Sequence, residues 1–254
     1  MAATPAGPPD PLRRAARPER AATPPDRPAP VTPGTGPAPL LIACALGVER
    51  LALLLGSRSA TGPVTVLRTG MGPRAAERAV SRALTRPALR DAAVLATGFC
   101  AGLAPGMRPG DLVVATETRD GADTVPCAGT GPLTASLTRL LPGRTVHTGP
   151  LLGTDHVVRG PERAALLATG AIAADMESAV TLRAAAVAEL PVPGPADPGG
   201  RTRPVAAVRV VVDAPTHELV RIGTLRGGIS AFHVLRAVIP AFCEWHRKVM
   251  LPWR

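Results

Sequence analysis

From residue 39 onward, short runs of β-branched and other apolar residues alternate with longer stretches of helical periodicity, and few architectures accept that order. The runs predict strands at 40–45, 64–68, 92–97, 111–116, 144–148, 171–174 and 205–212. The periodicity between them predicts helices at 48–55, 73–84, 132–141, 161–168, 176–190 and 230–249. Three of these open on Pro73, Pro132 and Pro161, where a first helical turn has no use for the missing N–H. Most of the strands are apolar on both faces, which places the sheet between helical layers. The expected fold is a three-layer α/β/α domain around a central, mostly buried, mixed sheet.

Two segments fall outside that pattern. Residues 1–38 hold 11 of the 30 prolines among Ala, Arg, Thr and Gly, with neither helical nor strand periodicity, and are expected to be a disordered tail ahead of a domain at 39–254. Its arginines are followed by no apolar core of the length a secretory signal needs, which argues against export. Residues 191–204 carry five prolines and three glycines between a helix and a buried strand, and are expected to form a surface insertion. The longest apolar run, Leu40 to Leu46, is far shorter than the roughly 20 residues of a membrane span.

Charge and cysteine content remove further classes. The net charge of +10 comes from scattered arginines, Lys248 being the only lysine, and the chain has no Tyr, three Phe and two Trp. A nucleic-acid binder more often clusters its cations and interleaves aromatic residues for stacking, so no nucleic-acid partner is expected. Cys44, Cys100, Cys127 and Cys243 stand far apart with no metal-ligand spacing, and are expected to be reduced, mostly buried thiols with no bound metal.

In doubly wound sheets ligands collect beyond the carboxyl ends of the strands, so the residues after each predicted strand are the candidates. After the first comes Leu46-Gly47-Val48-Glu49, where Glu49 either serves a site or answers the dipole of its own helix. After the second, Gly70, Gly72 and Arg74 in a glycine turn could offer donors to an anion, although two glycines also suit an ordinary turn. After the third come Gly98, Phe99, Cys100, Ala101 and Gly102, small residues that let a ligand approach the backbone. After the sixth stand Asp175, Met176 and Glu177; a helix cap accounts for one acid but not for both. After the seventh stands Asp213, for which a turn or cap is the competing explanation.

With these motifs in order, residues 39–254 resemble the superfamily of purine nucleoside phosphorylases and methylthioadenosine/S-adenosylhomocysteine nucleosidases. The resemblance is carried by Ala45-Leu46-Gly47-Val48-Glu49, by Thr97 to Leu103 followed by Pro109 to Val114, by Asp175 to Ala179, and by Val208 to Asp213. Gly149 to His156, Ala173 to Ala179 and Gly227 to Arg236 look most like the hopanoid-associated phosphorylases, which are linked to removal of adenine from adenosylhopane.

The resemblance implies cleavage of an N-glycosidic bond in a cytoplasmic, homo-oligomeric enzyme that needs no cofactor, with inorganic phosphate as the conceivable co-substrate. Asp213 would protonate the base at N7, Glu177 would accept from the ribose hydroxyls, and Met176 would pack on the sugar, with ordinary core packing as the alternative for Met176. Glu49 would orient attacking water in a nucleosidase or contact the substrate in a phosphorylase, and His156 stands near the place of an aromatic residue that stacks on the base, a surface histidine being the alternative. Ala96 and Phe99 occupy positions where phosphorylases of this type carry an Arg and a Ser for phosphate, which leaves water against phosphate open. Phe99 fits a bulky lipid-linked nucleoside or a core contact. The run Ala237 to Arg254, with Ile239, Phe242, Trp245, Met250 and Trp253 among cations, suggests peripheral contact with the inner membrane surface, against the alternative of a final helix packed on the sheet. A member that binds nucleosides without cleaving them is the rival from another functional class.

Overall fold

The computed structural model describes residues 38–188, 190, 202–215 and 223–251. The tail at 1–38, except its last residue, and residues 191–201 of the predicted insertion lie outside the described residues. Thr202 to Pro204 lead straight into a strand, and Arg203 is buried, its guanidinium donating to the carbonyls of Ala185, Ala92 and Arg90 at 3.0, 2.6 and 3.0 Å. Arg203 thus ties the backbone at 90–92, ahead of a central strand, to a neighbouring helix.

Among the described residues, eight strands form one mixed sheet: β1 (Leu40–Cys44), β2 (Val64–Arg68), β3 (Ala93–Gly102), β4 (Leu112–Asp120), β5 (Asp123–Pro126), β6 (Val146–Gly153), β7 (Ala173–Asp175) and β8 (Val205–Asp213). β1 runs parallel to β2 and β3, and β8 runs parallel to β3 but antiparallel to β4. β6 lies parallel to β4 and β7, and β7 returns antiparallel to the end of β3. The pairings thus close a ring through β3, β8, β4, β6 and β7. β3 and β4 run well beyond the predicted 92–97 and 111–116, and β5, absent from the expectation, pairs with β4 across a turn at Gly121 and Ala122.

The helices are α1 (Gly47–Gly56), α2 (Pro73–Leu84), α3 (Thr130–Leu140), α4 (Glu162–Ala168), α5 (Ser178–Val187), α6 (Gly223–Ala237) and α7 (Ile239–Met250). Alternation along β1 divides the core: Leu40, Ile42 and Cys44 face α1, α3, α6 and α7, whereas Leu41 and Ala43 face α2 and α5. α2 shows why such segments become helices, since Ala76, Val80, Ala83 and Leu84 form its buried stripe while Arg74, Glu77, Arg78 and Arg82 stay outside. Pro73 is its first residue, but Pro132 sits inside the first turn of α3 and Pro161 is the residue before α4.

Two predicted helices change. The one at 176–190 starts only at Ser178, which leaves Met176 and Glu177 in the turn between β7 and α5. The one at 230–249 is two helices that divide after Ala237, with Pro240 in the first turn of α7. Ile239, Phe242 and Trp245 are fully buried against the sheet, and Trp245 Nε1 donates to the Ala128 carbonyl at 2.7 Å. The apolar face proposed for a membrane is thus used by the core, and Trp253 lies outside the described residues. Among the described residues no helix is long and apolar enough to cross a membrane. Cys44, Cys100 and Cys243 are buried and Cys127 is partly buried, all as free thiols.

Candidate active site

Glu49, at the third position of α1, reaches back over its own helix start: Oε2 accepts from Ala45 N and Leu46 N at 2.9 and 2.8 Å. That is helix capping of the kind a Glu at this position performs. Its other oxygen does more, accepting from Phe99 N of β3 at 2.9 Å and so joining two strand ends. Glu49 is 2% exposed, and burial raises its pKa against the opposing pull of Arg209 and the three backbone donors.

Gly98 explains how a carboxylate can lie so close to β3. Its φ is +141°, and a Cβ there would fall 2.5 Å from both Glu49 Oε1 and Arg209 Nη1. Arg209, in the middle of β8, is the fully buried cation beneath the site. Its Nε donates to Ser178 Oγ at 2.7 Å, Nη1 to the Thr97 carbonyl at 3.0 Å, and Nη2 lies 2.5 Å from Asp175 Oδ2. Asp175 Oδ2 also accepts from Ser178 N at 3.0 Å, so the same acid caps α5 and neutralises Arg209, while its Oδ1 has no hydrogen-bond partner among the described residues.

Glu177 follows in the turn, with Oε1 accepting from Gly72 N at 2.9 Å. Burial raises its pKa; Arg209 and the Gly72 bond oppose this, and the charges of Asp175 and Glu49 add to it. Asp213 ends β8 just past a break in register: Cys100 pairs with Val211 but Ala101 pairs with Asp213. Such an irregularity re-aims side chains, and here both Val212 and Asp213 line the cavity although consecutive strand residues ordinarily face opposite ways. Asp213 is 6% exposed; Oδ2 is held by Nη2 of the buried Arg163 from α4, and Oδ1 has no hydrogen-bond partner among the described residues.

These groups surround a cavity of ≈ 270 Å³ lined by Glu49, Asp175, Glu177 and Asp213 together with Leu46, Met71, Phe99, His156, Val157, Val158, Met176 and Val212. Four acids therefore stand in a largely apolar wall, with Arg209 and Arg163 as buried counter-charges. Phe99 lines the cavity and also packs on the core. His156 is 57% exposed at the rim and its two ring nitrogens contact Asp155 at 2.6 Å and Glu162 at 2.7 Å, which raise its pKa in that order. Ala96 is buried in the α2 and α5 face and does not line the cavity.

The glycine turn is placed differently from an anion cradle. Gly70 and Gly72 have φ of +85° and +86°, as the turn requires, but the Gly72 N–H is already given to Glu177 and Arg74 is exposed on α2, outside the cavity lining. Among the described residues no group of three or more His, Cys, Asp or Glu is placed to hold a metal ion. Sequence reasoning misses Arg209 and Arg163. A charge inside the apolar run at 205–212 is the signal for the first; a helix-surface pattern hides the second.

Residues 52–239 match the phosphorylase superfamily. No curated protein matches the chain. Among solved structures, the chain is similar to 5′-methylthioadenosine/S-adenosylhomocysteine nucleosidase from Neisseria meningitidis in complex with methylthio-immucillin-A, at 16% identity and TM-score 0.65, over 82% of this chain and 99% of that one. It is similar to S-adenosylhomocysteine nucleosidase from Streptococcus pyogenes in complex with 5-methylthiotubericidin, at 18% identity and TM-score 0.63, over 82% and 97%. The futalosine hydrolase of Helicobacter pylori follows the same fold at 13% identity and TM-score 0.62, over 80% and 96%. With the family match spanning most of its 254 residues, the chain belongs to the phosphorylase superfamily.

Proposed function

We propose that the protein hydrolyses the N-glycosidic bond of an adenosine-type purine nucleoside and releases adenine. One observation carries the reading: Glu49, Glu177 and Asp213, from three different strand ends, line one cavity, and one buried oxygen of Asp213 has no hydrogen-bond partner among the described residues. As the C1′–N9 bond breaks, its electron pair leaves with the base and positive charge grows on the sugar. Oδ1 of Asp213 gives a proton to N7 of the departing purine. Glu177, with one oxygen on Gly72 N, accepts from the ribose hydroxyls through the other, and Met176 packs on the sugar. Glu49, whose burial raises its affinity for a proton, takes one from the water that adds to C1′. Nucleoside plus water becomes free sugar plus adenine, and the two carboxylates reset by exchanging protons with solvent.

Water is the preferred attacking group because the donors that phosphate would need are taken. The amides of Ala45, Leu46, Phe99 and Gly72 all serve carboxylates, and Arg209 is spent on Asp175, Ser178 and Thr97. The carboxylates of Glu49 and Glu177 would also repel a phosphate anion. The two nucleosidases and the hydrolase named above, whose fold the chain shares, favour this choice. For the 5′ substituent, Leu46, Met71, Phe99 and Val157 favour an apolar group, Met71 and Val157 being 72% and 54% exposed. With the sequence motifs, this supports adenosylhopane, and so a place in hopanoid side-chain formation. The test is to incubate the protein with adenosine, methylthioadenosine and an adenosyl-lipid and to measure free adenine. Preferred turnover of the adenosyl-lipid is expected; no adenine from any substrate leaves a nucleoside-binding protein.

A further inference from the structure

The acid of the site does not stand alone. Arg163 rises from the first turn of α4, is 5% exposed, and spreads its guanidinium over three elements: Nη1 donates to the Gly102 carbonyl at the end of β3 at 2.9 Å, Nη2 donates to the Val158 carbonyl at 3.4 Å, and Nη2 also holds Oδ2 of Asp213. A carboxylate at a strand end can rotate to present either oxygen. Here the planar guanidinium, itself anchored to two backbone carbonyls, leaves one choice. Oδ1 of Asp213 is buried and has no hydrogen-bond partner among the described residues, and Asp213 itself lines the cavity. Leaving a buried oxygen unmatched is costly, and native structures tolerate it where a ligand completes the bond.

We propose that Arg163 is the positioning residue for the acid: by holding Oδ2 it fixes Oδ1 as the single atom of Asp213 that meets the departing base. The role rests on the hydrolytic reading above, and no other group among the described residues is recorded against the Asp213 carboxylate. Arg163 touches neither sugar nor base. It acts only through Asp213, so its loss matters when the leaving group needs a proton and matters little when it does not.

That difference is the test. Wild type, Arg163→Gln and Arg163→Lys are assayed on adenosine, whose base leaves with a proton, and on p-nitrophenyl β-D-ribofuranoside, whose phenolate leaves without one. With Arg163→Gln, kcat on adenosine is expected to fall about 100-fold while KM stays within about threefold, and kcat on the nitrophenyl riboside to fall less than about tenfold. Arg163→Lys is expected to recover most of the loss. Equal falls on both substrates, or no fall on adenosine, overturn the role. If Arg163→Gln fails to fold, the Asp213→Asn/Arg163→Gln pair removes both charges together, and it should be no slower on adenosine than Asp213→Asn alone. A further drop overturns the proposal. A wild-type protein that cleaves neither substrate contradicts the hydrolytic reading and this role with it, whereas an active wild type with an unaffected Arg163→Gln contradicts the role alone.

Discussion

Replacing Arg209 with Met removes the cation beneath the site while roughly keeping its bulk. Three partners lose their donor at once: the Thr97 carbonyl, Ser178 Oγ and Asp175 Oδ2. The side chains of Arg209 and Asp175 are 2% and 1% exposed, so solvent cannot take over. Breaking such a buried pair costs about 3–5 kcal/mol. The loss should also depend on pH. Burial holds the pKa of Glu49 and Glu177 above 4.5 in the folded protein, and Arg209 opposes that rise. A carboxyl with a raised folded pKa keeps its proton longer when folded, so stability falls as pH climbs from the unfolded value through the folded one. Without Arg209 the rise is larger, and the gap between variant and wild type grows from about pH 4.5 toward neutrality. Urea unfolding of both proteins across that range measures it. A neutral-pH gap below about 1 kcal/mol, or a gap that widens on acidification, would refute the reasoning.

Other perturbations read the same site. Asp213→Asn keeps an oxygen for Arg163 and should leave the fold intact while base release falls about 10²–10⁴-fold; turnover near wild type would put the acid elsewhere. Gly98→Ala forces a Cβ to 2.5 Å from Glu49 and Arg209 at φ +141°, and should cost at least about 1–3 kcal/mol in thermal unfolding as well as activity; an unchanged melting temperature would contradict the packing described. Glu177→Gln weakens the grip on the ribose and should raise KM about tenfold, which corresponds to 1.4 kcal/mol. A 2′-deoxynucleoside should feel that substitution less, and equal effects on both sugars would separate Glu177 from the ribose.

How far the sequence discloses this arrangement depends on the range of the forces involved. β1, β2 and α2 are legible to within a residue because local periodicity and a first-turn proline decide them. β3 overruns its predicted end because Gly98 and Gly102, which look like a turn, are held extended by β8 and β7. β5 is missed although Asp120-Gly121 is a hairpin signal, since Arg119 and Asp123 give the hairpin a polar look. Pro240 marks the division between α6 and α7, but an unbroken apolar period across it suggests one helix.

The acids can be found from sequence because each follows a strand. Their counter-charges are harder. Arg209 interrupts an apolar strand, so it could be suspected, whereas Arg163 in Pro161-Glu162-Arg163 reads as an exposed helical turn and becomes a buried partner only when α4 folds against β3 and β8. The C-terminal apolar residues illustrate the reverse case: period alone cannot say whether Phe242 and Trp245 meet lipid or sheet, and the sheet takes them.

In the proposed reaction water attacks a nucleoside whose base is protonated by Asp213. Its most direct test is the sugar product formed from adenosine in buffer free of phosphate, and again with phosphate added. Adenine and free ribose in equal amounts, at a rate that phosphate does not raise, are the predicted result. Adenine release that requires phosphate and yields ribose 1-phosphate would contradict it.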